Sequence, residues 1–169
     1  MTDIVEAKSA ADYAAGRNLF KEYARELGID LCFQDFEFEL EHLDEMYASP
    51  SGCLLLGRGA GTEAPAPPAG ASPATVRWIA CAGVRRLSAE VCEMKRLYVR
   101  QDARGSGLGR QLAVAAIAAA RVRAYRTIVL DTLASMTTAR KLYSSLGFRE
   151  TGPYYANPLP DVVYMALRL

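Results

Sequence analysis

QDARGSGLGRQL, residues 101–112, sets three glycines and two arginines between VCEMKRLYV, residues 91–99, and an alanine-rich apolar stretch. Glycine has no Cβ, so backbone N–H groups in such a turn can come close to a ligand. A helix starting at about Gly107 adds its unpaired first amides and the positive end of its dipole. The natural guest is an anion, most often a phosphate. Behind this helix, TIVLD at residues 127–131 is continuously apolar, as expected of a strand buried on both faces. Strand, glycine turn, helix and strand together describe a parallel crossover.

Moving outward, Asp3 to Ala7 alternate apolar and polar side chains and predict a first strand. Ser9 can then cap a helix running to about Leu27, with Gly28 as its stop. From Gln34 to Tyr47 the residues Phe36, Leu40, Leu43 and Tyr47 recur at three and four, which predicts one shorter helix ended by Pro50 and Gly52. Cys53–Gly57 and the stretch beginning at Thr75 read as neighbouring strands. The Gly, Pro and Ala-rich segment between them, at about 59–74, predicts a mobile hairpin loop and not a linker, because too little chain precedes it to fold alone. MTTARKLYSSLGF predicts a last helix stopped by Gly147, followed by strands near Arg149–Tyr154 and Val162–Leu169. The expected class is α/β (α+β): one domain over residues 1–169, built on a mixed, mostly antiparallel twisted sheet flanked by helices.

Composition narrows the function. A chain of 169 residues, 51% hydrophobic and 23% charged, suits one domain with a sizeable core. With 20 basic and 19 acidic side chains the net charge is +1, which argues against a nucleic-acid partner and requires any anion site to be local. MTDIVEAKSA carries neither a basic leader with an apolar core nor a bilayer-length run, so the expectation is a cytoplasmic chain with no membrane partner. Cys32, Cys53, Cys81 and Cys92 lack zinc or redox spacing and, with the single His42, make a poor metal set. Free thiols and no metal are expected.

Three phosphate motifs can be tested against the turn. A dinucleotide fingerprint starting at Gly105 needs glycine where Arg110 stands, and one starting at Gly107 needs it at Leu112. A nucleotide P-loop from Gly105 would need Gly, Lys and Ser or Thr where the chain has Arg110, Gln111 and Leu112. What fits is Arg104, two residues, Gly107, one residue and Gly109, directly behind MKRLYV. There the chain resembles the GNAT superfamily of acetyl-CoA-dependent N-acetyltransferases, whose R/Q-x-x-G-x-G/A turn lies between the fourth strand and third helix. ARKLYSSLGF, residues 139–148, is similar to that family's second signature, A-x-x-L-Y-x-x-x-G-F. LFKEYARELGIDLCFQDFEFEL near the N-terminus resembles a subgroup of small acetyltransferases.

The resemblance implies acetyl-CoA as co-substrate, with the pyrophosphate on the turn. The implied coenzyme contacts are Leu97, Tyr98, Val99, Arg104, Gly105, Ser106, Gly107, Leu108, Gly109 and Arg110. It places Glu93 at the position of a general base acting through water and Tyr143 at that of the general acid. Residue chemistry agrees: an alkylammonium with a pKa near about 10 must lose a proton before attack, and a phenol of similar pKa can protonate a departing thiolate. The amide of Leu97 or Val99 could stabilise the oxyanion if a bulge frees it. Met136 stands where the family usually has Asn, with Ser135 or Thr137 as substitutes. By the same resemblance Phe33, Phe36, Tyr154 and Tyr155 line the acceptor pocket, and Arg85, Arg86, Lys95 and Arg96 could attract a carboxylate-bearing amine. The expected function is acetyl transfer to the primary amine of a small molecule, by a monomer or homodimer. The alternatives are a protein or peptide N-acetyltransferase, or a non-catalytic acyl-CoA-binding regulatory module.

Overall fold

The structure, a computed structural model, describes residues 3–59 and 77–169. The loop expected at about 59–74 lies, beyond Gly59, outside the described residues.

Strand β1 (Asp3–Glu6) leads into helix α1 (Ala10–Leu27) through a reciprocal cap. The Ser9 hydroxyl accepts from the Asp12 amide at 3.2 Å, and the Asp12 carboxylate accepts from the Ser9 amide at 2.9 Å. Gly28 ends α1 in the left-handed region at φ 66°, as the sequence predicts. The single helix expected over Gln34–Tyr47 is instead a 3-10 turn at Cys32–Gln34, helix α2 (Phe36–Glu41) and one-turn helix α3 (Leu43–Met46). Asp35 enters α2 with φ 51°, and His42 leaves the helical range at φ −110° while its ring Nδ1 sits 3.0 Å from the Phe38 carbonyl. Phe36, Leu40, Leu43 and Tyr47 are all buried, so the periodicity identified the inner face but not the break.

Strands β2 (Cys53–Arg58), β3 (Trp78–Arg86) and β4 (Val91–Val99) follow, then helix α4 (Leu108–Val122), β5 (Thr127–Leu133), helix α5 (Thr137–Ser145), β6 (Arg149–Thr151) and β7 (Val162–Arg168). They form one seven-stranded sheet in the order β1-β2-β3-β4-β5-β7-β6. Every pairing is antiparallel except β4 with β5, the crossover that carries the glycine turn. One buried cluster lies under α4 and α5, built on Leu108, Leu112, Ala116, Ile128 and Phe148; a second lies under α1 to α3, built on Leu19, Phe20, Leu43 and Tyr47. Cys53, Cys81 and Cys92 are buried free thiols; burial pushes Cys53 up to about 11 and Cys92 to about 12. Among the described residues no helix is long and apolar enough to cross a membrane.

Candidate active site

Two irregularities of β4 create the site. Opposite β3 the register slips between Cys81 and Gly83, so that Arg96 and Leu97 together oppose Ala82, and Arg96 takes a left-handed φ of 56°. This is a β-bulge, and it changes which way the strand's side chains face. Cys92 and Met94 before it and Leu97 and Val99 after it all join the cluster under α4. Lys95 and Arg96, although consecutive, both turn to the other face and both donate to Gln34 Oε1, at 3.3 and 2.9 Å. A left-handed residue bearing a side chain costs about 1–2 kcal/mol. Arg96 is held there by a buried ion pair with Glu39, its Nη2 at 2.6 Å and Nε at 3.1 Å from Oε2, and it lies over the Phe36 ring.

The second irregularity is a splay. β4 pairs with β5 only from Val91 to Glu93 against Thr127 to Val129, after which the two strands diverge. A cavity of about 770 Å³ opens between Leu97, Tyr98 and Val99 of β4, the start of α4, and Ser135 to Thr138 at the start of α5. Gly105 and Gly107 line it with φ 80° and 82°, a conformation that favours residues without a Cβ. Gly107 is also the N-cap of α4, and among the described residues no side chain caps that helix, which leaves its first amides available at the cavity. Uncapped amides, the positive dipole end and the room beside them suit a diphosphate on a long flexible arm.

Each expected coenzyme contact can now be placed. Leu97, Tyr98, Val99, Arg104, Gly105, Gly107, Leu108, Gly109 and Arg110 all line the large cavity; the Ser106 hydroxyl instead donates to the Ala103 carbonyl at 2.7 Å. Arg104 braces the turn as much as it faces the cavity. Its Nε donates to Val99 O at 2.9 Å, its Nη2 pairs with Glu26, and its guanidinium lies over the Tyr98 ring. Arg110 is exposed and donates to the Ser145 hydroxyl at 2.8 Å. Met136 lines the wall where the family asparagine was expected, its sulfur accepting from Thr132 Oγ1 at 3.7 Å, with Ser135 and Thr137 beside it.

A smaller cavity of about 90 Å³ shares Leu97, Met136 and Ala139 with the large one and continues it toward the α2 side of the sheet. Tyr143 is on its wall, packed against Phe148, and burial raises its phenol above the ordinary value, so it stays protonated and able to donate. The polar wall is Gln34, Lys95, Arg96, Asp131 and Thr132. Behind it, Glu93 is fully buried and accepts from Arg85 Nε at 2.7 Å, Tyr154 Oη at 2.7 Å and Lys95 Nζ at 3.5 Å. Burial alone would raise the Glu93 carboxyl, but the charges of Lys95 and Arg85 and the Tyr154 hydrogen bond outweigh it and leave it below the usual range. Lys95 is lowered by burial, only partly offset by Glu93.

The acceptor-side expectations divide. Tyr154 and Tyr155 belong to this network, Tyr155 donating to Asp131 Oδ2 at 2.8 Å and accepting from Gln34 Nε2 at 2.8 Å and Asn157 Nδ2 at 2.6 Å. Phe36 is packed against Arg96 in the second core cluster and lines neither cavity. The Phe33 side chain lies outside what the structure describes. Sequence reasoning did not single out Gln34, Glu39, Asp131 or Asn157. Asp131 carried a signal, as the acid that closes the apolar run TIVL. Among the described residues no group of three or more His, Cys, Asp or Glu could hold a metal ion.

A sequence profile described as an acetyltransferase (GNAT) domain matches residues 74–150. An uncharacterized N-acetyltransferase of Schizosaccharomyces pombe is 38% identical over 152 residues, covering 89% of this chain and 85% of that one. The chain belongs to the GNAT acetyltransferases. It is therefore an acetyl-CoA-dependent acyltransferase, and the α4 turn and splayed strands fit the coenzyme such enzymes use. The GNAT fold is seen again in a family acetyltransferase from Elizabethkingia anophelis solved with acetyl-CoA bound, which is 18% identical and aligns over 99% of this chain and 98% of that one with a TM-score of 0.62. A shorter match, 34% identical over 77 residues, links this GNAT chain to the N-acetylaspartate synthetase of Xenopus tropicalis, covering 46% of this chain and 28% of that protein.

Proposed function

We propose that this acetyltransferase moves acetyl to the primary amine of a small molecule by direct attack in a ternary complex. The observation that carries the reading is the junction of the two cavities. A large one lies at the uncapped α4 amides, and a small one of about 90 Å³, apolar but for one polar wall, is lined by both Tyr143 and the β4 bulge. So confined a volume favours a small acceptor over a peptide side chain with its backbone. The N-acetylaspartate synthetase match supports the same choice by its name.

In this reading the coenzyme's diphosphate lies on the amides from Gly107 onward, and its thioester reaches the bulge. The Leu97 amide, at the bulge, donates to the carbonyl oxygen as negative charge gathers on it. The neutral amine attacks, the new C–N bond forms, and the C–S bond breaks. Tyr143 gives its proton to the leaving thiolate and is restored by the proton that the acylated nitrogen sheds. Glu93 is the family-position base, yet it lines neither cavity and already accepts from three donors; we assign it the task of positioning Lys95.

Thiol release from acetyl-CoA against amines, amino acids and peptides, with stabilisation by coenzyme A measured alongside, tests this. Turnover of small amines with saturation is expected. Saturation by peptides alone would make it a peptide acetyltransferase. Stabilisation by coenzyme with no release for any acceptor would refute transfer altogether.

A further inference from the structure

The small cavity offers its guest two opposite charges on opposite lips. Lys95 reaches it from β4 and Asp131 from β5, and their closest approach, Nζ to Oδ1, is 3.9 Å, too long for a hydrogen bond. Asp131 is anchored through Oδ2, which accepts from Tyr155 at 2.8 Å, leaving Oδ1 facing the ammonium at that loose distance. Lys95 is buried, and its other contacts, Gln34 Oε1 at 3.3 Å and Glu93 Oε1 at 3.5 Å, are long as well. Among the described residues three cations, Arg85, Lys95 and Arg96, face three carboxylates, Glu39, Glu93 and Asp131, so this cluster is already balanced. A guest with net charge would unbalance it in a setting where charges are weakly screened. A guest carrying one charge of each sign would not.

We propose that the acceptor is an amino acid, bound as a zwitterion with its ammonium on Asp131 and its carboxylate on Lys95. The inference rests on the acetyl-transfer reading above and narrows its substrate class. The zwitterion enters between Nζ and Oδ1, exchanging one loose ion pair for two close ones. Gln34, fixed by Arg96, lies beside the carboxylate position, and Leu31 and Leu159 leave room for a short side chain. Asp131 takes the first proton that the ammonium loses and passes it to solvent water; nitrogen then attacks the acetyl carbon, the thiolate leaves with the Tyr143 proton, and the second proton, shed by the acylated nitrogen, restores the phenol.

The test is thiol release at saturating acetyl-CoA with glycine, alanine and serine, each compared with its amide and its decarboxylated amine. The enzymes are wild type, Lys95→Met and Asp131→Asn, each first shown to be stabilised by coenzyme A. Expected is a kcat/KM about tenfold to a hundredfold higher for the amino acids than for their amides, as one charge-assisted contact gives. In Lys95→Met that ratio falls to near one, whereas Asp131→Asn slows amino acids and amides alike. Calorimetric binding of alanine against alaninamide to the coenzyme-loaded wild type, with the same preference expected, decides the matter if a variant does not fold. Amides or plain amines turned over as well as amino acids would overturn the zwitterion site and leave acetylation of small amines standing. A preference that survives Lys95→Met would remove Lys95 from it. Release with peptides alone would overturn both readings.

Discussion

Gly107 and Gly109 are two residues apart in the same turn, and replacing each by alanine should move stability in opposite directions. Gly107 sits at φ 82° with nothing within 4 Å of where a Cβ would lie, so alanine there meets no clash and the whole cost is backbone strain. That strain is about 1–2 kcal/mol. Leu108 and Leu112 are buried at the start of α4 and resist any swing of the turn. If the turn holds, the strain remains in the folded state, and Tm falls by about 2–8 °C for a chain of this size. If it relaxes, the amides leave their positions, and affinity for coenzyme A drops by about fivefold to thirtyfold with Tm nearly intact. Gly109 is already helical, and its Cβ would stand 3.7 Å from Val99 Cγ2, an ordinary contact. Alanine there should gain about 0.5–1 kcal/mol of stability and leave coenzyme binding close to wild type. Thermal unfolding of both variants with and without coenzyme A, and calorimetric titration of the coenzyme, give all four numbers. A Gly107→Ala protein equal to wild type in both measurements, or a Gly109→Ala protein as damaged as Gly107→Ala, would refute the reading of the turn.

Tyr143→Phe keeps the packing against Phe148 and removes the proton, so thiol release should slow by about a hundredfold while the Kd for coenzyme A stays put; equal turnover would take the acid role from Tyr143. Glu39→Ala strands the buried Arg96 guanidinium and should cost about 3–5 kcal/mol in urea unfolding, and a loss under 1 kcal/mol would mean that the pair does not hold the bulge. Acid should expose Glu93. Its folded pKa lies below the unfolded value of about 4.3, so its contribution is present above that pH and lost as pH falls through the folded value. Unfolding free energy should therefore drop more steeply below about pH 4.3 in wild type than in Glu93→Gln, and parallel profiles would contradict the assignment.

The crossover was legible because its signals are local. The strand bounds Val91–Val99, the glycine turn, the start of α4 and the Ser9 and Gly28 caps each depend on residues within a few positions of one another. What the sequence hid is contact between distant residues. Gln34 meets Lys95 and Arg96 some sixty positions away, and Tyr155 meets Asp131 from another strand connection. A bulge enters the sequence reading only as the condition for a free Leu97 or Val99 amide, and its place leaves no local mark: Arg96 is a left-handed arginine with no glycine or asparagine to announce it, held there by Glu39 from α2. The same partnership explains how β4 can bury two consecutive cations, Lys95 and Arg96.

The sheet is fastened at one end of its middle seam. Beyond Glu93 and Val129, β4 and β5 part without sharing a ladder, and each keeps an edge turned toward the gap. On the outer rim of a sheet such edges invite stray chains to pair. Enclosed between two halves of one sheet, they border a cavity open to something slim and extended at the α4 side. On the proposed reading, the fold would sort its cargo by thickness before any side chain reads its chemistry.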